Sequence, residues 1–190
     1  RPFTTTLLHT AAAHDQLEMV RELLKRGASI DLRDSLGGTA LMHAANNGRL
    51  TILLVLLQHS ANPDLQNIHD NTSLMAAAYR GDEACVKALL RAKANTELLN
   101  KAGHTALTLA ANQGQEACMQ ALLRAGANTQ LLNKDGSTAL LLAEDRGHTA
   151  TAQLIRQHAS CLSLGLGVAL CAVLPLTWSW VVLSVVLGAI

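Results

Sequence analysis

Histidine and cysteine are the residues of this chain most able to bind a metal or to act in catalysis, and the sequence holds eight histidines and four cysteines. A zinc protease needs H-E-x-x-H on one face of a helix, and a structural zinc site needs Cys-x-x-Cys pairs, but neither pattern occurs. The G-x-S-x-G turn of a serine nucleophile is absent, and Gly37-Gly38 follows no predicted strand that would make it a phosphate loop. We therefore expect no catalytic residue, no metal and no cofactor.

Charge divides the chain into two parts of different chemistry. All 15 Lys and Arg and all 14 Asp and Glu come before Ala159, and the formal net charge is +1. Without a basic field or clusters of Lys and Arg, a nucleic-acid partner is not expected. The first part is typical of a water-soluble protein, whereas the segment 161–190 is mostly apolar.

An internal repeat organises the first part of the chain. A threonine returns at a constant interval, and a glycine follows it at a fixed distance, which Asp15 replaces in the first copy. The threonines are Thr6, Thr39, Thr72, Thr105 and Thr138, and the glycines are Gly48, Gly81, Gly114 and Gly147. Five copies in register without an insertion predict a stack of like units.

Each copy predicts two helices and a turn. The threonine hydroxyl caps a short first helix rich in Leu and Ala, as in "TALMHAA", and the glycine ends that helix in a left-handed conformation. The second helix carries apolar residues such as Ile52, Leu53, Leu56 and Leu57. A polar run such as "NPDLQNIHDN" is then a turn or a β-hairpin. Because no copy can bury its apolar face alone, the copies must stack.

Two of the cysteines occupy equivalent positions in neighbouring copies. Cys85 and Cys118 lie one repeat interval apart, in the predicted second helices. Packed helices are about 8 to 10 Å apart, whereas a disulfide needs Cα atoms within about 7 Å. We expect both to be reduced core residues. Of the two others, Cys161 and Cys171, the first stands at the start of the apolar tail, where S-acylation is an alternative to simple packing.

The period, the helix pair and the turn resemble those of the ankyrin repeat family. Its T-P-L-H-x-A motif is closest in Thr6-Leu7-Leu8-His9-Thr10-Ala11, followed by "TALMHA", "TSLMAA", "TALTLA" and "TALLLA". The proline is replaced in every copy, and the histidine survives only as His9. The resemblance implies an all-α dominated repeat solenoid with β-hairpin turns over residues 3–160, with copies at about 3–35, 36–68, 69–101, 102–134 and 135–160.

The resemblance also implies a protein partner rather than a small-molecule substrate. Ankyrin arrays contact partners through the turn just before each threonine and through the exposed end of each first helix. The corresponding positions at the turns are Leu36, Ile68, His69, Asn71, Lys101, His104, Lys134 and Ser137. Those at the helix ends are Asn46, Asn47, Tyr79, Arg80, Asn112, Gln113 and Arg146. Tyr and Arg are frequent binding hot spots, which singles out Tyr79 and Arg80.

The tail of the chain predicts a membrane segment. Residues 159–190 carry no charge, and this stretch exceeds the roughly 18 apolar residues that mark a membrane-spanning candidate. Since the last Lys and Arg lie on the array side, we expect the array to face the cytosol. Residues 161–190 would form either one span kinked at Pro175, or a hairpin of two short helices with Trp178 and Trp180 at the headgroup interface.

Three functional classes follow from these features. The first is a non-catalytic adaptor that binds a protein through the array and a membrane through residues 161–190. The second is a soluble ankyrin scaffold or inhibitor whose tail docks a partner. The third is a fragment of a larger ankyrin protein with several spans, such as a channel or an acyltransferase. The first class is the one we expect.

Overall fold

Ten helices make up the part of the chain that the computed structural model describes, residues 6–163. The bounds are α1 Leu7–Ala13, α2 Leu17–Lys25, α3 Ala40–Asn46, α4 Leu50–Gln58, α5 Ser73–Arg80, α6 Glu83–Arg91, α7 Ala106–Asn112, α8 Glu116–Arg124, α9 Ala139–Asp145 and α10 Thr149–Ser163. They form five antiparallel pairs that recur at the sequence period. The odd-numbered helices pack in one layer and the even-numbered helices in a second layer.

The repeated threonines start the first helices, as the sequence predicts. The Oγ1 atoms of Thr39, Thr72, Thr105 and Thr138 accept the backbone N–H of the residue three positions on, at 3.1 to 3.3 Å. At Thr6 the backbone N–H instead donates to Nδ1 of His9, and Nε2 of that ring donates to the Leu32 carbonyl at 2.8 Å. The bonds to the threonine hydroxyls and to His9 Nδ1 satisfy N–H groups that a helix start leaves free, and the bond to Leu32 holds the His9 ring in place.

The turn that ends each first helix is left-handed. Gly81 has φ +85° and Gly147 has φ +73°, and Asp15, which stands in the same position, has φ +61°. The predicted conformation is therefore confirmed, including its replacement by aspartate in the first pair. Aspartate is among the few side chains that tolerate this region of backbone space.

The core is one continuous strip of small aliphatic side chains between the two layers. The row Leu8, Leu41, Leu74 and Leu107 is buried on the first helices, and Val20, Leu53, Val86 and Met119 are buried on the second helices. Alanines at the remaining facing positions let the helices approach closely. No pair could exclude water from this strip without its neighbours.

The predicted β-hairpins are turns without strands among residues 6–163. Each turn closes on itself, as where the Asp34 N–H donates to the Gly38 carbonyl at 2.9 Å, and joins the next turn by one backbone hydrogen bond. A strand needs a ladder of such bonds, and one bond per pair does not form a ladder. This part of the predicted fold is therefore corrected to a row of linked turns.

The predicted membrane segment lies outside the described residues, except that residues 161–163 complete α10. That helix has 15 residues, whereas α4, α6 and α8 have nine each. Within residues 6–163, the helices are too short or too polar to cross a bilayer. The choice between one span and a hairpin stays a prediction.

Candidate partner-binding surface

An aspartate or asparagine fixes the shape of each of the four turns that connect the helix pairs. Its side-chain oxygen accepts two backbone N–H groups further along the chain: Asp34 Oδ1 accepts those of Leu36 at 2.9 Å and Gly38 at 2.7 Å. The same pair of bonds recurs at Asn67, Asn100 and Asn133. Side chains of this type mimic a backbone turn, so the four turns share one rigid shape.

Backbone hydrogen bonds join the four turns into one row. The Ile68 N–H donates to the Leu36 carbonyl at 2.9 Å, the Lys101 N–H to the His69 carbonyl at 3.0 Å, and the Lys134 N–H to the Ala102 carbonyl at 3.1 Å. The predicted turn residues therefore come together on one edge of the molecule. We call this edge, with its exposed side chains Leu36, Ile68, His69, Lys101 and Lys134, the turn row.

The three other predicted turn residues are half-buried. Asn71 uses its Oδ1 atom to accept the Nδ2 group of Asn100 at 3.0 Å, so it ties neighbouring turns together. Ser137 closes the last turn, because its N–H donates to Asn133 Oδ1 at 2.8 Å and its carbonyl accepts the Asn133 N–H at 3.0 Å. The Nδ1 atom of His104 is buried and has no hydrogen-bond partner among the described residues, and burial lowers the pKa of this histidine.

The predicted helix-end residues form a second line beside the turns, which we call the helix-end row. Asn46, Tyr79, Arg80 and Arg146 are exposed. Its half-buried members are Asn47, Asn112 and Gln113. Tyr79 is 53% exposed, which is high for an aromatic side chain. The Tyr79 ring is exposed to solvent at the end of α5, in the third of the five helix pairs.

Arg80 differs from Tyr79, because its guanidinium group is held by the neighbouring pair. Its Nη1 atom donates to the carbonyl of Asn46 at 3.1 Å. Similar bridges run from Arg49 Nε to the Ala13 carbonyl at 3.4 Å and from His148 Nε2 to the Asn112 carbonyl at 3.2 Å. Side chains of one pair thus cap the C-terminal carbonyls of the preceding first helix. Arg80 supports the surface, and Tyr79 is the better candidate for direct contact.

A hydrogen-bonded Asp–His pair gives the first of the four turns a feature that the other three lack. Nε2 of His43 lies 2.8 Å from Oδ2 of Asp34, whose side chain is only 3% exposed. Burial raises the pKa of Asp34, but hydrogen bonds from His43 and from the Gly38 and Leu36 N–H groups outweigh it and hold the pKa below its ordinary value. The carboxylate is therefore charged at neutral pH and orients the half-exposed His43 ring.

Sequence reasoning missed three members of this surface. Leu99 and Leu132 are 43% and 55% exposed, and each directly precedes the asparagine that fixes its turn. The signal was available, because the two leucines are one repeat interval apart in the same register. His43 was missed because its pairing with Asp34 depends on the folded turn. The extended turn row now carries four large apolar side chains together with two lysines.

The cysteines and histidines create no further site among residues 6–163. Cys85 and Cys118 are buried free thiols, as predicted. Burial, with nearby acidic groups, raises the pKa of Cys85 to about 12 and that of Cys118 to about 11, so neither is a reactive thiolate. No group of His, Cys, Asp or Glu in this part of the chain has the arrangement of a metal site.

Comparison with known proteins agrees with this architecture. A family model described as "Ankyrin repeats (3 copies)" matches residues 1–67 and again residues 74–163. No curated protein matches the chain. The family model describes three copies, and its two matches between them cover most of the ten helices. With the constant repeat interval, the paired helices and the linked turns, this match shows that the chain belongs to the ankyrin repeat family.

Proposed function

We propose that this protein is a non-catalytic adaptor that binds a protein partner on the turn row and the helix-end row. Ankyrin repeats indicate a role in protein–protein interaction. The observation that carries the proposal is the set of exposed large side chains, Leu36, Ile68, Leu99, Leu132 and Tyr79, on or beside turns of one fixed shape. Preformed surfaces of this kind bind without a large ordering cost.

A capture experiment tests the partner surface. The full chain with Tyr79→Ala is compared with wild type for retention of proteins from detergent-treated cell extract. Loss of a buried aromatic anchor weakens binding by about 2 kcal/mol or more, so we expect at least one partner to be lost from the variant. Leu54→Ala is the matched control, since Leu54 is 41% exposed on α4, in the other helix layer. Equal loss in both variants, or in neither, would contradict the proposal.

We further propose that residues 161–190 tether the adaptor to a membrane, with the array in the cytosol. The support is the uncharged stretch 159–190, together with α10, which continues to Ser163 instead of ending in a turn as the other second helices do. Residues 161–163 belong both to α10 and to the apolar segment, so that segment begins within a helix.

Carbonate extraction of cell membranes tests the tether. We expect the full chain to stay in the pellet, a chain ending at Ser160 to be released, and protease added outside intact organelles to digest the array. If the full chain is released by carbonate, the tether is wrong and the soluble scaffold with a docking tail becomes the better description. If the array is protected from protease, its cytosolic orientation is wrong.

A further inference from the structure

The third turn holds a histidine where the other turns hold smaller residues. His104 directly precedes the threonine that caps α7, and the equivalent residues are Gly38, Asn71 and Ser137. The Asn71 side chain is hydrogen-bonded to the following turn, because its Oδ1 atom accepts the Nδ2 group of Asn100 at 3.0 Å. The Nδ1 atom of His104 is buried, but it has no such partner in the part of the chain that the structure describes.

This buried nitrogen makes the charged form of the His104 ring unfavourable in the closed turn. A neutral imidazole has one N–H donor and one acceptor, and protonation turns both nitrogens into donors. Whichever tautomer the neutral ring adopts, the charged ring carries a buried N–H at Nδ1 for which the turn provides no acceptor. Burial accordingly lowers the pKa of His104, although the charge of Asp135 acts in the opposite direction.

Asp135 is the charged residue whose field acts on the ring, and it lies exposed in the fourth turn. The other titratable groups near the tips of the second, third and fourth turns are His69, Asp70, Lys101 and Lys134. Helix α7 carries no charge, and the charged residues of its neighbours α5 and α9 lie at the C-terminal ends of those helices, away from His104. A protonated ring therefore finds its counter-charge on the solvent side of the turn.

The backbone of His104 closes the third turn. Its N–H donates to Asn100 Oδ1 at 2.9 Å, and its carbonyl accepts the Asn100 N–H at 3.0 Å. The same turn is joined to the fourth turn by the hydrogen bond from the Lys134 N–H to the Ala102 carbonyl. A ring that leaves its buried place moves the backbone that closes the third turn, and this movement reaches the bond to the fourth turn.

We propose that His104 makes the turn row sensitive to pH. The neutral ring keeps the third and fourth turns joined, and the protonated ring moves out toward Asp135 and weakens that joint. The exposed side chains that then lose their fixed spacing are Leu99, Lys101, Leu132 and Lys134. The effect on partner binding rests on the proposed function, whereas the change in the turns does not need a partner.

The direction of the pH effect follows from comparing the closed turn with an open one. In an open turn His104 has the ordinary histidine pKa of about 6.5, and in the closed turn its pKa is lower. The open form therefore takes up a proton first. The closed turn is fully stable above about pH 6.5 and loses stability as the pH falls toward and below the pKa of the closed form.

Nuclear magnetic resonance of the full chain in detergent micelles tests this proposal. The ring signals of His104 give its pKa, and amide hydrogen exchange gives the protection of the Lys134 N–H. The reference is His104→Asn, since the second turn has asparagine at this position. We expect His104 to titrate below pH 6.5. We also expect the Lys134 protection, relative to that in the variant, to fall roughly three- to tenfold between pH 7.5 and pH 5.5.

Two further variants separate His104 from other titrating groups. His69→Asn removes an exposed histidine of the second turn and should keep the pH dependence of wild type. Asp135→Asn should lower the pKa of His104 further, because it removes the charge that favours the protonated ring. A His104 pKa of 6.5 or above overturns the proposal, and so does a relative Lys134 protection that is equal at both pH values. Because no partner is needed, failure of the capture experiment would contradict only the adaptor function.

Discussion

At the scale of single residues, the Asp34–His43 pair predicts a pH dependence. The folded pKa of Asp34 is lowered, so its stabilising effect is present above the ordinary carboxylate pKa of about 4 and is lost as the pH falls through the folded value. Asp34→Asn keeps the turn-fixing oxygen, as Asn67, Asn100 and Asn133 do, and removes the charge. We expect wild type to melt above the variant at pH 6 and the difference to shrink toward pH 3. A constant difference in melting temperature over this range would contradict a stabilising effect of the Asp34 charge.

Residue types alone predicted the threonine caps and the reduced cysteines. They did not predict that Arg80 is held by the preceding helix pair while Tyr79 is exposed to solvent. A threonine before an apolar run has one local role, so its hydrogen bond follows from sequence. The carbonyl that Arg80 reaches belongs to Asn46 in the preceding pair. That contact depends on the distance between stacked helices, which no local pattern contains.

At the scale of the elements, glycines with positive φ allow a test of how closely neighbouring turns pack against each other. A Cβ atom at Gly103 would lie 2.8 Å from the backbone N of Lys134 in the next turn, whereas a Cβ atom at Gly136 would meet nothing within 4 Å. Both glycines have positive φ. We expect Gly136→Ala to cost about 1 to 2 kcal/mol of unfolding free energy from the backbone alone, and Gly103→Ala to cost about 1 to 3 kcal/mol more from overpacking.

Chemical denaturation of the two variants measures this difference directly. Equal losses would mean that the backbone of Asn133 and Lys134 moves away without cost and that the two turns are not closely packed. The helices that flank these turns were predictable, because their apolar spacing and caps are local. The absence of strands among residues 6–163 was not predictable from the sequence. A polar run such as the one near Asn67 is compatible with a β-hairpin and with a single turn.

At the scale of the whole molecule, the stack should fold without the tail. The buried residues described in α10 are Thr151, Ala152 and Ile155, and all come before Ser160. A chain ending at Ser160 should therefore keep its helix content and melt within about 3 °C of the full chain, since surface changes away from the core have small effects. Loss of cooperative melting in the shortened chain would show that the tail contributes to the core.

The solenoid was predictable from the sequence because one period governs most of the chain. The differences between the first and the last helix pair were not predictable, because the period describes only what the copies share. The exposed Leu7 and Met19 at one end and the Glu144–Arg156 pair at the other are departures from the period. Whether such a side chain is buried or exposed depends on which helix pair packs beside it in the fold.

The row of linked turns also bears on how this protein could change in length. Each turn bonds to the next one through equivalent backbone groups, at the same interval of 32 residues along the sequence. Duplication or deletion of one whole unit would rejoin donors and acceptors in register, whereas an insertion of any other length would break them. Gene duplication could therefore lengthen the partner-binding surface in whole steps, and each step would add one turn, one helix end and one opportunity for a new contact.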